Sequence, residues 1–378
     1  IVRMFPLPYP QLEQALASIR PHCDLHDPRF YYDEGPAGIT WAARGEVREL
    51  FSKPWKRIPG GENLSAHFWA DQTQGTLQIS GRDTTLWFPG LFRDPLVLQQ
   101  LQGPLTWRQR ADGGWRVDTP GLRAVNADIK TSTRLRMEFP QTAGEGVFID
   151  LQTDFEDGDA SATARYLPVG IMRPAVIKWL DRSIVSGQVL SGSGVVRGPL
   201  RDFPFHKTHS GRFEVFFQTE ELLLDYWPEW PALQKASADV RFLGNSFDTW
   251  IRHARLADNR ITGAHGRIRD LKRTSPFELG VQTDGAIRNI LNLLRNSPLS
   301  KDFGSMTELL EVGGEASLRL NLAIPITDGS PFQLAGKLNL RDAILELPDS
   351  PLTISSIRCA LHFAHDAVWA QAIESLLF

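Results

Sequence analysis

Apolar and polar residues alternate along most of this chain. In the clearest run, Leu318, Leu320 and Leu322 are separated by Arg319 and Asn321. A period of two residues is typical of a strand with one buried face, and many such strands side by side predict an antiparallel sheet with one apolar and one polar face. The apolar residues of these runs, which we assign to the apolar face, are Leu77, Ile79, Val125, Ile129, Leu135, Met137, Val147, Ile149, Leu151, Phe213, Val215, Phe217, Leu318, Leu320, Leu322, Phe332, Leu334, Leu338 and Leu340.

One sequence phrase occurs three times. In each copy a strand-like run reaches a proline, a second proline follows (Pro95, Pro231 or Pro351), and spaced apolar residues lead to an aromatic residue. In the first and third copies these residues stand at +3, +6, +10 and +12 from the second proline, and the second copy is one residue shorter. Repeated sheet-building units predict a stacked array. Because proline interrupts a strand ladder, we interpret each copy as a strand–crossover–strand unit.

Three helices are predicted within the sheet. Leu12, Leu16 and Ile19 form an apolar stripe after Pro10, Pro174 suits the first turn of a second helix, and Asp284 is placed to cap a third that carries Ile287 and Ile290. We expect one extended body over residues 1–378. Its predicted parts are residues 1–55 (N-terminal helix and strands), 56–165 (first repeat), 166–275 (second repeat with the central helix) and 276–378 (helix and a truncated third repeat).

Composition narrows the function classes. The net charge is −3 and the isoelectric point is about 6.3, which argues against a nucleic-acid partner, since that needs a basic excess. No window approaches 18 apolar residues, so no membrane span is predicted. Cys23 and Cys359 lie 336 positions apart and indicate no disulfide framework. The chain begins in mid-phrase at Ile1, and we expect both ends to be cut from a longer protein.

Candidate chemistry is sparse. His22, Cys23 and His26 lie close together, but no second ligand pair accompanies them, so we expect no metal, and we predict no cofactor. The acidic residues Asp154, Glu156, Asp157 and Asp159 are interpreted as a solvated loop. A carboxylate hydrolase that uses Asp154 and Asp157 is the least favoured function. No catalytic residue is assigned, and we expect no enzyme.

The stretch from Tyr166 to Phe205 resembles the central segment of bacterial AsmA-like proteins of the YhdP type. The segments that carry the resemblance are YLPV (Tyr166–Val169), KWLDRSI (Lys178–Ile184), RGPLRDFPF (Arg197–Phe205) with the following GRFEV, and upstream WKRIPGGENLSAHFW (Trp55–Trp69). The resemblance extends thinly over nearly the whole chain. It identifies a relative and carries no catalytic signature.

The resemblance implies a lipid conduit in the periplasm of a Gram-negative bacterium. Such proteins are tethered to the inner membrane by an N-terminal helix, which this sequence lacks. Their long sheet is curled into an open apolar groove, and they pass phospholipids between the inner and outer membranes, which supports the outer-membrane barrier. The expected partners are therefore phospholipid acyl chains, the two membranes and envelope proteins at the ends. The residues assigned to the apolar face would line the groove.

A second architecture satisfies the same periodicity. The apolar residues could form the filled core of a closed β-sandwich, an envelope scaffold or binding protein that holds a protein partner or, through exposed tryptophans, a glycan. Alternation alone leaves the groove and the sandwich open, and the resemblance favours the groove.

Overall fold

The computed structural model describes residues 17–36, 38–56, 58–142, 144–271, 275–297, 311–325, 333–346, 353–364 and 367–377. The described part is mainly β, as predicted. Its eighteen strands are β1 (His22–Gly35), β2 (Gly38–Ser52), β3 (Gly60–Asp71), β4 (Gln74–Trp87), β5 (Leu96–Gln109), β6 (Trp115–Val125), β7 (Lys130–Phe139), β8 (Phe148–Asp159), β9 (Ile184–Pro199), β10 (Arg212–Leu224), β11 (Leu233–Leu243), β12 (Ser246–Leu256), β13 (Asn259–Ile268), β14 (Phe277–Ala286), β15 (Glu311–Ile324), β16 (Gln333–Glu346), β17 (Thr353–Ala364) and β18 (Ala367–Leu377).

Between strands, the described residues form the α-helices α1 (Thr163–Tyr166), α2 (Pro174–Ser183) and α3 (Ile287–Arg295). Helix α2 begins at its proline as predicted. Helix α3 is also present, but the predicted cap is wrong: Asp284 lies in β14, and Ala286 precedes the helix without a side-chain capping bond. Of the stripe predicted near the N-terminus, Ile19 is helical, whereas Leu12 and Leu16 lie outside the described residues.

The chain divides into two compact units. The first unit comprises residues 1–178 and 191–213, and the second comprises residues 179–190 and 214–378. In the first unit, β1 to β8 pair antiparallel in chain order. In the second, β10 to β18 do the same. The four-part division made from the sequence stays a prediction.

Short polar turns allow this sequential pairing. Between β5 and β6, for example, the Arg110 amide donates to the Gly114 carbonyl (2.8 Å), and Asp112 Oδ1 accepts from the Gly114 amide (3.1 Å). Gly113 has φ +78°, a left-handed conformation that glycine adopts without strain. Such hairpins need few residues, so the chain can place each strand beside the preceding one.

The three repeated phrases form paired strands, so the predicted crossovers are wrong. The apolar residues after the second prolines lie within β5, β11 and β17, which pair antiparallel with both neighbours. A β-bulge explains their irregular spacing. Ile354 and Ile357 stand three residues apart, yet the register shifts around Ser356 (φ +53°) place both on one face.

Bulges recur along the strands of each unit. Non-glycine residues with left-handed φ mark them, among them Asn63 and Asp83 in the first unit and Glu221, Lys235 and Asp342 in the second. A bulge bends its strand and increases the local twist. The strands of each unit therefore bend without losing the ladder.

Candidate functional site: the apolar face of the sheet

Directly paired residues in the second unit join into apolar rows that cross the strands. Val281, Leu320, Gly336 and Phe363 lie opposite one another in β14, β15, β16 and β17. Residues paired in this way point to the same side of a sheet. The row therefore belongs to one face.

The same face extends along and across the strands of the second unit. Leu318, Leu338 and Leu361 form the next row, since alternate residues of a strand share a side. Of the residues predicted to be apolar-facing, this face contains Val215, Phe217, Leu318, Leu320, Leu322, Leu334, Leu338 and Leu340.

The first unit has an equivalent face. Phe68, Leu77 and Leu105 form one row in β3, β4 and β5, and Val117 opens another that continues through β7 and β8. The predicted residues on this face are Leu77, Ile79, Leu135, Met137, Ile149 and Leu151.

Two predicted residues lie elsewhere. Val125 is opposite Gln100 and Lys130, whereas its neighbour Ala124 is the residue on the apolar side. Ile129 lies in the turn between β6 and β7, where its carbonyl accepts from the Asn126 amide (3.1 Å). The alternation that suggested both residues continues past the end of the strand, so both leave the proposed lining.

Two further predicted residues are at the margins of the apolar face. Val147 precedes β8, and its carbonyl accepts from the Leu200 amide at 2.8 Å. The Phe213 ring packs edge-on against Phe203, with ring centroids 5.0 Å apart. Phe332 lies outside the described residues.

Glycines on the apolar face lie beneath aromatic rings, a feature that the sequence analysis missed. A Cβ atom at Gly336 would be 2.4 Å from Phe363, and one at Gly75 would be 2.2 Å from the Trp107 ring. Gly266 lies beneath the ring of Phe277, its diagonal neighbour on the next strand, at 2.6 Å from an added Cβ. The absent side chain lets the ring lie flat on the sheet. The sequence signal would have been a glycine opposite an aromatic residue, which is readable only once the register is known.

The opposite face of the sheet is polar. In the second unit, the Asp248 carboxylate is only 6% exposed and lies 3.3 Å from His265, 3.5 Å from Arg267 and 3.8 Å from Arg241. The Trp250 ring stacks on His265 at a centroid distance of 5.2 Å. Charged pairs of this kind keep one side of the sheet hydrated, so an apolar ligand has one side to occupy.

Helix α3 covers part of the apolar face in the second unit. Ile287 and Ile290 are 3% and 6% exposed and pack with Ala316 and Ala343. Farther along the strands, Leu320, like many of its neighbours on this face, is only half-buried. A filled sandwich core would bury such leucines fully. Their partial exposure is what an open apolar surface requires.

The candidate metal and carboxylate residues do not form a site. The His22 ring stacks on Phe51 (4.6 Å), and partial burial, with Asp24 nearby, raises the pKa of Cys23. Among the described residues, no group of three His, Cys, Asp or Glu side chains is arranged to hold a metal. Asp157 forms an ion pair with Lys130 (2.5 Å), and Asp159 caps a helical turn through the Ser161 amide.

No helix in the described ranges combines the length and apolar character needed to cross a bilayer.

The fold and its rows of side chains define a class: a sequentially paired, amphipathic antiparallel sheet whose apolar face is only partly covered. The chain belongs to the YhdP protein family, whose sequence model matches residues 1–378.

A curated relative has a named activity. The intermembrane phospholipid transporter YhdP of Escherichia coli (strain K12) is 22% identical over 333 residues, a region that covers 87% of this chain and 26% of the relative. The chain thus spans about a quarter of the length of that relative. No solved structure matches.

Proposed function

We propose that this chain is a segment of a lipid conduit that holds phospholipid acyl chains on its apolar sheet face, without catalysis. The observation that carries the proposal is the row Val281–Leu320–Gly336–Phe363, one of several apolar rows that join consecutive strands on one face. The first unit has matching rows. The named activity of the E. coli relative supports a phospholipid as the ligand.

The energetics suit transfer along a surface. Each methylene group that leaves water contributes about 0.8 kcal/mol, so acyl chains can be held by area alone. A face made of similar apolar residues presents a similar free energy at each position, and a lipid can then move without a deep trap. The polar face, with carboxylates such as Asp248 paired to arginines, does not compete for acyl chains.

The proposed setting is the periplasm of a Gram-negative envelope. We place the protein between the inner and outer membranes, held at the inner membrane by an N-terminal helix, with envelope proteins at its ends. The family and the intermembrane activity of the relative support this setting. The proposed lining is the predicted set without Val125 and Ile129.

Site-specific photo-crosslinking tests the proposal, because neighbouring positions of one strand face opposite sides. A photoreactive amino acid at Leu320 is expected to form covalent adducts with phospholipid in cells, detected by mass spectrometry of the purified protein. The matched control is the same amino acid at Arg319, which is paired with Gln282 and Lys337 on the polar side.

Equal adduct yields at the two positions would contradict the proposal, as would phospholipid-free protein after gentle purification. Adducts with a protein instead of lipid at position 320 would favour the scaffold alternative. Substitution of Leu338 by Asp provides an independent check: bound phospholipid should fall sharply while circular dichroism still shows the folded sheet.

A further inference from the structure

A cleft on the polar face of the first unit concentrates arginines. It has a volume of about 800 Å³ and is lined by Arg108, Arg116, Arg134 and Arg136, against which only Asp118 and Asp150 contribute carboxylates. The chain as a whole has a net charge of −3. The cleft is therefore a local positive site on a weakly acidic protein.

The two carboxylates already have arginine partners. Asp118 accepts two hydrogen bonds from Arg116 (2.7 and 2.8 Å) and lies 3.4 Å from Arg136. Asp150 lies 3.8 Å from Arg197. These contacts fix the geometry of the cleft and neutralise part of its charge, but they leave none of its carboxylates for the remaining arginines.

Arg108 and Arg134 are the arginines that remain. Arg108 lies directly opposite Arg116 in the β5–β6 ladder, and like charges in that arrangement repel. Arg108 forms no ion pair with any residue that the structure describes, and Arg134 donates only to the neutral side chain of Gln152 in the described ranges. Two exposed guanidinium groups thus point to an anionic partner from outside the chain.

We propose that this cleft binds an acidic segment of a partner protein. Arg108 is opposite Arg116, and Arg116 is opposite Glu138 in β7. Arg134 therefore lies two ladder spacings (about 10 Å) across the sheet and four residues (about 13 Å) along it from Arg108, which is too far for one phosphate group to bridge. Carboxylates four positions apart on an extended peptide stand about 13 Å apart, and flexible arginine side chains can reach both of them. Arginine also suits bidentate recognition of carboxylates.

The shape of the cleft favours a peptide over a membrane. A bilayer surface is flat and cannot enter a concave site. At the other end of the cleft, the Trp69 ring is 39% exposed beside Thr76, which offers a surface for an apolar side chain next to the carboxylates. The site lies on the side of the sheet opposite to Leu77 and Leu105, so it does not depend on the proposed lipid face.

Fluorescence anisotropy with the intact chain tests the site. The probe is a fluorescein-labelled decapeptide of alternating Glu and Ala, and we expect salt-sensitive binding. The double substitution Arg108→Gln with Arg134→Gln should weaken binding about tenfold. The control, Arg255→Gln with Arg319→Gln on the second unit, removes the same charge and should leave binding unchanged.

Each other outcome overturns the inference. No binding of the acidic peptide, equal loss in both double variants, or undiminished binding by the Arg108/Arg134 variant would each exclude an acidic-segment site. Vesicles of phosphatidylglycerol that bind through Arg108 and Arg134 and displace the peptide would identify a membrane surface instead. Displacement by millimolar inorganic phosphate would identify a simple phosphate site. Thermal melts confirm that all variants are folded.

Discussion

The Phe363 ring lies over Gly336, its direct cross-strand neighbour, so closely that a Cβ atom at position 336 would stand 2.4 Å from the ring. The pair completes the apolar row that runs from Val281 through Leu320. Because glycine has no side chain, the aromatic ring can lie against the backbone instead of projecting away from the sheet. The pair therefore adds an aromatic ring to the apolar face without a side chain that projects far from the sheet.

Substitution of Gly336 by Ala should raise the Phe363 ring from the sheet. The new methyl group would also meet the Arg319 carbonyl at 2.7 Å, and we expect a loss of about 1–3 kcal/mol in the free energy of unfolding. Phospholipid that co-purifies should decrease, since the displaced ring occupies space above the face. Denaturant unfolding and lipid mass spectrometry measure the two effects.

Gly280→Ala is the matched control for that substitution. Gly280 is a strand glycine of the same unit, but it lies on the polar side, where the nearest atom to an added Cβ is Asn321 Oδ1 at 3.5 Å. Stability and bound lipid should be unchanged. If both alanine variants behave alike, the Gly336–Phe363 contact does not shape the face.

Gly103 and Gly121 provide a test of the bulges in the first unit. Gly103 has φ +145°, and a Cβ atom there would be 2.3 Å from the Gly121 carbonyl oxygen, whereas a Cβ at Gly121 would meet nothing within 4 Å. We expect Gly103→Ala to cost about 2–3 kcal/mol and Gly121→Ala to change stability by less than about 0.5 kcal/mol. Equal thermal shifts for the two variants would show that the tight approach is absent.

Residue periodicity predicted the sheet because a strand with one dry side must alternate. The prediction from periodicity failed where a bulge or a strand end breaks the alternation of two residues. Ile354 and Ile357 stand three residues apart, and this spacing suggested a crossover. A bulge between them places both residues on one face of the sheet despite that spacing. Alternation at Val125 continued into a turn, and a pattern that reads only residue type cannot detect where pairing stops.

The sites that depend on register could not be predicted from the sequence. Gly336 and Phe363 are 27 positions apart, and Arg108 and Arg134 are 26 positions apart. Which of these residues share a row or a cleft follows from which residues of neighbouring strands pair, and many registers are compatible with the same alternation. The resemblance supplied the expected fold and ligand class, whereas the individual contacts came from the paired strands.

Helix α3 should be held to the sheet by its buried isoleucines. Ile290→Ala removes packing against Ala316 and Ala343 and should lower the free energy of unfolding by about 2–5 kcal/mol. Arg288 is an exposed residue of the same helix, and Arg288→Ala should change stability by less than about 0.5 kcal/mol. Similar unfolding midpoints for the two variants would mean that the helix does not depend on this contact.

Tyr166 should make stability depend on pH in the alkaline range. Burial, more than any other effect, raises the pKa of Tyr166 to about 12. Its hydroxyl accepts from Asn126 (2.7 Å) and donates to Asp128 (2.9 Å). The unfolded chain has an ordinary tyrosine with a pKa near 10. The folded state thus retains the proton over a range in which the unfolded state loses it.

The sign of the effect follows from that difference in proton binding. Below about pH 10 both states are protonated, and the contribution of Tyr166 is fully present. Between about pH 10 and 12 the unfolded state binds fewer protons, so the free energy of unfolding falls as the pH rises. Denaturant unfolding at a series of pH values, with absorbance titration of tyrosinate, measures this loss.

Tyr166→Phe should remove this part of the alkaline slope while costing about 1 kcal/mol near pH 7, because two hydrogen bonds are lost. The control is Tyr31→Phe, since Tyr31 is 60% exposed and its substitution should leave the slope unchanged. Burial also raises the pKa of Tyr226, so the Tyr166→Phe variant should keep the part of the alkaline slope that comes from Tyr226. If Tyr166→Phe retains the full slope of the parent protein, the raised pKa does not belong to Tyr166.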